Sequence, residues 1–454
     1  MAAVAWGAFA FGAVYPWAFT PLAAVCAVVG VAGLATGEAG RPPLGALAAA
    51  LIVVALAVGV QIIPLPSSIV ERVSPAADAL MRPGDMPASA PSTRQTLSIV
   101  PEKTVIGLAL FVSLALFLLG SSRLISAVGA YPVAVFILVV GVLLSVIGIV
   151  QDALTINDVY PLIYGFWKPK GGRPFGPFVN RNHFAGWMLM ALPLGLAAAA
   201  DAITRMVNRG PDSGRRDYIR SMSSGDFAVA LLVAAASVIM GAALLLTRSR
   251  SGVVAFAAGT VLVAAAVYRR HRTLRQRAVI LVPFAVLVLG SVMWAGLDNA
   301  VGKFFERSTI PSAVGGRTGA WKDTLEIIRN FPLTGAGLNS YGSAMMLYQS
   351  DSRELHYQEA HNDYLQIAAE GGVLVGVPVL LAVGIFVRDV RRRFREAPTE
   401  GTTYWLRVGS VVGLIAIALQ SAVEFSLQMP GNAALFAVVA AIALHRSPNL
   451  RARP

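Results

Sequence analysis

Residues 131–150 read Tyr131-Pro-Val-Ala-Val-Phe-Ile-Leu-Val-Val-Gly-Val-Leu-Leu-Ser-Val-Ile-Gly-Ile-Val150, without one acidic or basic side chain. At about 1.5 Å per residue, a helix of this length reaches about 30 Å, the thickness of a bilayer's hydrocarbon core. A run so uniformly apolar has no polar face to turn to water, so it predicts a membrane-crossing helix rather than an amphipathic one. The rest of the chain repeats the pattern. Hydrophobic residues fill 56% of the 454 positions and charged ones 13%, and the mean hydropathy is +0.66. No single soluble core can hide that much apolar surface.

Comparable apolar runs predict further spans near Ala3–Tyr15, Trp17–Ala35, Pro43–Ile63, Thr104–Gly120, Phe184–Ala200 and Phe227–Leu246. Others follow near Gly252–Tyr268, Ala278–Leu297, Tyr364–Val387, Leu406–Phe425 and Gly431–Leu444. The expected fold is an all-α integral membrane protein of about twelve transmembrane helices, a single polytopic domain over residues 1–454.

The formal charge of +13 is distributed as a topology signal and not as a nucleic-acid surface. Arginine-rich runs at Arg205–Arg220, Arg269–Arg277, Arg388–Arg395 and Arg446–Arg453 fall in alternating connections, which the positive-inside rule places in the cytoplasm. Both termini are then expected there too. Membrane lipids are expected neighbours of these runs, and no nucleic-acid partner is. The first residues lack the positive region of a cleavable signal, so the first span reads as a retained anchor. One cysteine, Cys26, lies within a span and reads as packing. Ionisable groups are scarce inside the spans, with Asp152 and Glu424 at span ends. That disfavours an ion-coupled transporter, which needs such groups near the bilayer midplane.

The opposite, far side receives residues 64–103, 151–183, 247–251 and 298–363. Pro64, Pro66, Pro75, Pro83, Pro87, Pro91 and Pro101 make the first of these irregular, with a short helix around Ser67–Val73, and its simplest reading is a connector. In the second, Asn180-Arg181-Asn182-His183 meets an incoming helix at its N-terminus, where free N–H groups favour an anion. Capping by Asn180 or Asn182 and snorkelling by Arg181 are the plainer alternatives. The third, Thr247-Arg248-Ser249-Arg250-Ser251-Gly252, places two arginines on the side where positive charge is disfavoured. Their planar forks suit a diphosphate, and headgroup contacts or an ion pair with a loop carboxylate are the alternatives.

The long loop 298–363 is expected to carry short helices. From Thr318 onward Trp321, Leu325 and Ile328 recur at helical spacing, which predicts an amphipathic helix with Arg317 just before its first turn. Gly315 and Gly316 beside it allow close approach of backbone to ligand. Gly335 and Gly337 do not make a dinucleotide site, since no βαβ unit precedes them. At the end of the loop Glu359-Ala-His-Asn-Asp-Tyr-Leu365 puts His361 at a helix start capped by Asn362 or Asp363. An isolated histidine is more often structural than catalytic, but Glu359 and Asp363 flank this one and can raise its basicity. No metal-ligand spacing accompanies it.

Taken in order, Gly-Pro-Phe-Val-Asn-Arg-Asn-His-Phe-Ala (176–185), Thr-Arg-Ser-Arg-Ser-Gly (247–252), Gly-Arg-Thr-Gly-Ala-Trp (316–321), Pro-Leu-Thr-Gly-Ala-Gly (332–337) and Ala-His-Asn-Asp-Tyr-Leu-Gln (360–366) resemble the bacterial O-antigen ligase and polymerase superfamily. The resemblance is strongest from Gly176 to about Gly376. It implies a GT-C-like glycosyltransferase of the bacterial inner membrane with a periplasmic active site. The reaction would be metal-independent, inverting glycan transfer without a cofactor. The implied donor is a glycan on undecaprenyl diphosphate, and the acceptor is a hydroxyl on lipid A core, another lipid-linked glycan or a protein. Other envelope polysaccharide-assembly proteins are further partners it suggests. By the same resemblance His361 would act as general base, with Arg317 and Arg250 holding the departing diphosphate. Arg248, Arg181, Asn182, Asn362, Tyr364 and Trp321 would line the substrate site. Ligase activity on lipopolysaccharide is the first expectation. O-antigen or exopolysaccharide polymerase is the second, and a non-catalytic transporter or binding protein for lipid-linked glycan is a third, of different class.

Overall fold

The computed structural model describes residues 1–36, 45–81, 94–155, 161–169, 173–208, 225–270, 311–350, 356–396 and 401–446. In chain order its helices are α1 (Ala2–Phe9), α2 (Pro16–Ala35), α3 (Gly45–Ile62), α4 (Ser67–Val73), α5 (Pro75–Met81), α6 (Pro101–Val128), α7 (Tyr131–Leu154) and α8 (Arg181–Asn208). After them come α9 (Gly225–Leu246), α10 (Arg250–Arg270), α11 (Pro311–Asn330), α12 (Tyr341–Tyr348), α13 (Asp363–Glu396), α14 (Thr402–Gln420) and α15 (Pro430–Leu444). Among the described residues, eight helices are long and apolar enough to cross a membrane: α2, α3, α6, α7, α8, α9, α13 and α14. The fold is that of an all-α integral membrane protein. The span expected near Ala278–Leu297 lies outside the described residues.

Helix α8 is the axis of the bundle. It packs against α7, α9, α10, α14 and α15, and Trp187, Met188, Leu189, Met190, Ala191 and Leu192 are all buried. A helix surrounded in this way is apolar on every side. Outer helices instead leave large apolar side chains exposed, including Val28, Ile52, Leu56, Leu232 and Leu380. Such surface is suited to lipid, which offers no hydrogen bonds and asks for none.

The first expected span is corrected. Instead of crossing over Ala3–Tyr15, the chain forms eight-residue α1, only about 12 Å long. It turns where Phe11, Gly12 and Ala13 take φ of +59°, +71° and +56°, and Pro16 then starts α2, at the helix position where its missing N–H costs nothing.

At one end of the bundle the connections assemble into a cap with its own small core. Val70 and Ala77 of the proline-rich segment pack with Leu97, Ala320, Ile327, Phe331, Tyr341, Met345, Ala360 and Ala369. The helix expected around Ser67–Val73 is present as α4, but the segment is more than a connector. Its two ends pair as short antiparallel strands, Leu65 opposite Gln95 and Pro66 opposite Arg94. Ser98 N–H then donates to the Gln61 carbonyl (2.9 Å) and Ile99 N–H to the Ala336 carbonyl (3.0 Å).

A break inside α13 locks this cap to the spans. Gly372 has φ +54° and ψ −155°, which ends one helical piece and starts another. The carbonyls and N–H groups freed by the break need partners, and the turn 332–337 supplies them. Ala336 and Gly337 N–H donate to the carbonyls of Ala369 (2.9 Å) and Glu370 (3.0 Å), while Val373 and Leu374 N–H reach those of Pro332 (3.0 Å) and Leu333 (2.9 Å). Buried Gln61 of α3 adds amide bonds to the Thr334 (2.7 Å) and Glu370 (2.8 Å) carbonyls. Such close backbone packing demands glycine. A Cβ on Gly335 would stand 2.1 Å from the Glu370 oxygen.

Two expectations about α11 are also corrected. The helix begins at Pro311, so Arg317 lies within it and not before its first turn. Two glycines cost a helix roughly 2 kcal/mol together, and docking of the following turns on the cap core offsets that. The buried stripe runs through Ala320, Asp323, Thr324 and Ile327, whereas Leu325 points outward at 44% exposure.

Candidate functional site

Four chain segments meet at the cap end around one carboxylate, Glu424, in the turn between α14 and α15. The turn is anchored first. Asp363 N–H donates to the Ser421 carbonyl (2.9 Å), Ser426 Oγ and Gln420 Nε2 both reach the Asn182 carbonyl (3.3 Å each), and Asn432 Nδ2 donates to the carbonyls of His183 (2.9 Å) and Ser426 (3.0 Å). These bonds tie the starts of α8, α13 and α15 to the turn.

Three side chains converge on Glu424. Arg317 Nη2 donates to Glu424 Oε1 at 2.5 Å, and Asn182 Nδ2 donates to the same oxygen at 2.6 Å. His361 Nδ1 stands 3.6 Å from Oε2, an ion-pair distance with the imidazole one quarter exposed and the carboxylate 1% exposed. Burial pushes the Glu424 carboxyl up, but His361, Arg317 and His183 outweigh it and hold the group below its ordinary range. His361 Nδ1 is the ring nitrogen that faces Glu424, and Nε2 is the other.

The imidazole is held from other sides as well. Phe425 packs edge-on against His361 with ring centroids 4.6 Å apart, and against His183 at 4.7 Å. Trp321 Nε1 donates to the Ala360 carbonyl (2.9 Å), pinning the peptide before the histidine. His361 itself has φ +51°, a left-handed conformation uncommon outside glycine and a marker of a position dictated by its surroundings.

Behind it lies a second acidic group. Gln366 bridges the Ala360 N–H (3.0 Å) and the Glu359 carboxyl, and Glu370 accepts from the Tyr341 N–H (3.0 Å). Burial, then the Glu370 charge, push Glu359 up to about 8.

The remaining expected site residues divide between two settings. Asn362 caps α13, its Oδ1 accepting from the N–H of Tyr364 and Leu365 at 3.0 Å each. Tyr364 Oη donates to the Ala418 carbonyl (2.7 Å), and the residue is 54% exposed. Asn180, not Asn182, plays the capping role at α8, accepting from the Asn182 N–H (2.9 Å). Arg181 and Arg248 instead line a neighbouring cleft with Arg173 and Asp152. Exposed Arg250 opens α10 within electrostatic reach of Arg181. Among the described residues, no three His, Cys, Asp or Glu side chains are placed to hold a metal ion.

Glu424 was absent from the sequence-derived site. Its signal was available, a single carboxylate in Ser421-Ala-Val-Glu-Phe-Ser426 at the far-side end of a span. As the acid of a span end it reads as a boundary marker. Its partners lie 107 and 242 positions away.

No curated protein matches the chain. Residues 235–380 match the O-antigen ligase family model, a stretch holding Arg248, Arg250, Arg317 and His361, and that match supports membership of the O-antigen ligase and polymerase superfamily.

Proposed function

We propose that the protein transfers a glycan from undecaprenyl diphosphate to an acceptor hydroxyl on the periplasmic face of the inner membrane, in the manner of an O-antigen ligase, with lipid A core or a similar acceptor. The observation that supports it best is the convergence of His361, Arg317 and Asn182 on buried Glu424. In this reading His361 Nε2 takes the proton of the acceptor hydroxyl as its oxygen attacks the anomeric carbon. The bond from that carbon to the diphosphate oxygen breaks on the opposite face, which inverts the centre. Its electron pair leaves on undecaprenyl diphosphate.

Glu424 stabilises the imidazolium that forms, while the donors of Arg317 not taken by Glu424, together with Arg250, Arg248 and Arg181, hold the leaving charge. Charge-assisted bonds from preorganised guanidinium groups supply what a metal supplies elsewhere. The apolar flanks of the bundle suit a polyprenyl chain, and the arginines of 388–395, at the other end of α13 from His361, support an outward-facing site.

Purified protein given lipid-linked glycan and candidate acceptors tests this directly. Wild type should form product and His361→Ala should not. Full activity of that variant would refute the assignment of His361. A single block moved to lipid A core identifies a ligase, and a ladder on undecaprenyl diphosphate identifies a polymerase. Binding without transfer to any acceptor would place the chain among carriers of lipid-linked glycan.

A further inference from the structure

His361 follows a residue that is held at both of its polar backbone groups. The Ala360 carbonyl accepts from Trp321 Nε1 (2.9 Å), and the Ala360 N–H donates to Gln366 Oε1 (3.0 Å). Those two bonds fix the peptide planes on either side of Ala360, which is fully buried. His361 continues from them with φ +51°, a conformation that its own steric preferences would abandon.

The sense of the Gln366 amide is dictated by what surrounds it. A backbone N–H can only donate, so the amide oxygen has to face Ala360. Nε2 is thereby turned to two carboxyl groups, donating to Glu359 and, at 3.4 Å, to Glu370 Oε1. Glu370 is itself fixed by the Tyr341 N–H (3.0 Å). Gln366 stands just inside α13, whose start Asn362 caps. Glu359, pushed up to about 8 by burial and then by the Glu370 charge, keeps a proton at neutral pH, so the two acids tolerate one another beside the amide.

Gln366 is 2% exposed, which puts it out of a substrate's reach, yet its bond to Ala360 acts on the residue next to the imidazole. The separation of 3.6 Å between His361 Nδ1 and Glu424 Oε2 leaves little slack. A shift of about 1 Å would take ring and carboxylate out of ion-pair range, and misplacement on that scale costs catalysts about 10²-fold.

We propose that Gln366 is a positioning residue for His361, holding the Ala360 peptide so that the imidazole stays against Glu424 and Phe425. This deepens the proposed function, on which it rests for the catalytic role of His361, and no atom of Gln366 takes part in the chemistry.

The test compares Gln366→Leu, which nearly keeps the volume and removes both hydrogen-bonding ends, with Gln366→Glu, whose protonated carboxyl accepts from Ala360 and donates to Glu359 as the amide does. Transfer from undecaprenyl diphosphate-linked glycan is measured with full-length protein in nanodiscs, below the melting temperature of each variant. Gln366→Leu should lower kcat about 10²-fold with KM for the donor unchanged, and Gln366→Glu should stay within about tenfold of wild type. In a His361→Asn background Gln366→Leu should lower transfer no further, since residues that act through one group are not additive. A side chain that merely braced the cap would multiply its loss into that background. Gln366→Asn, whose amide is one carbon too short to reach Ala360, takes the place of a leucine variant that does not fold, with the same expectations.

A second readout needs no turnover. The rate at which diethyl pyrocarbonate modifies His361, followed by mass spectrometry of its peptide, should rise severalfold in Gln366→Leu as the ring leaves Glu424 and Phe425. The proposal is overturned if His361 in that variant is modified at the wild-type rate, if the loss of transfer persists in full in the His361→Asn background, or if a folded Gln366→Glu is as inactive as Gln366→Leu. Wild type that transfers nothing, with faster modification of His361 in Gln366→Leu, retains the positioning role and refutes the proposed function. Transfer in wild type with a silent Gln366→Leu does the reverse.

Discussion

Arg317 Nη2 and Glu424 Oε1 lie 2.5 Å apart although 107 positions separate them in the chain. The pair joins the cap to the bundle, since Arg317 belongs to α11 and Glu424 to the turn after α14. Replacing Glu424 by alanine would leave a guanidinium and an imidazole facing a dry hole. Arg317 is about one third exposed, so water repays part of its loss. The expected cost is about 1–3 kcal/mol, read as a lower melting temperature in detergent. Glu424→Gln keeps the shape but removes the anion, and should lower transfer about 10²-fold with a smaller effect on melting. Equal loss in both variants on both readouts would make Glu424 purely structural.

His361 separates backbone from chemistry. Asparagine tolerates a left-handed φ better than alanine does. His361→Asn should therefore melt close to wild type while transfer falls by about 10²–10⁴, whereas His361→Ala should lose activity and some stability. An active asparagine variant would remove the imidazole from the mechanism.

Glu359 and Glu424 give the protein opposite responses to pH. Glu359 is pushed up to about 8 when folded. Between the ordinary carboxylate range and that value only the folded chain keeps the proton, so stability falls as pH rises through about 8. Glu359→Gln should flatten that decline. Glu424 is held below its ordinary range. Its contribution is present above that range and is lost as pH falls through the lowered value, a loss Glu424→Gln should abolish. Melting temperatures across a pH series check both arms.

Gly335→Ala places a methyl group 2.1 Å from the Glu370 oxygen at a φ of +67°. The left-handed backbone and the overlap together should cost about 2–5 kcal/mol. Because the same turn satisfies the broken α13, the variant should also expose the amides of Val373 and Leu374 to hydrogen exchange. Unchanged protection there would mean that the break is held by something other than this turn.

The spans could be read from the sequence because each is a local property, an apolar run as long as a bilayer is thick. The same holds for α4. Where several short-range signals compete, the reading slipped. Phe11, Gly12 and Ala13 look like the middle of an apolar run but form a turn, and Gly315-Gly316 look like a helix boundary but lie inside α11. Of the side chains that meet at Glu424, His361, Arg317 and Asn182 stand out in the sequence by residue type and position beside the spans. Glu424 does not, since what distinguishes it from an ordinary span-end acid is a set of partners brought to it by three other helices. The proline-rich segment was undervalued for a related reason. Irregular sequence conceals hydrogen bonds to distant backbone such as that from Ile99 to Ala336.

That Glu424 follows Asn182, Arg317 and His361 in the chain also carries a consequence for biosynthesis. Chains emerge N-terminal part first, at about 5–20 residues per second, so Arg181, Arg250, Arg317 and His361 are all made before the carboxylate that organises them. A nascent chain made as far as α13 holds Arg317 and His361 without the carboxylate they face. The cluster closes only as α14 and the turn after it arrive, so of these residues the ribosome delivers the anion last.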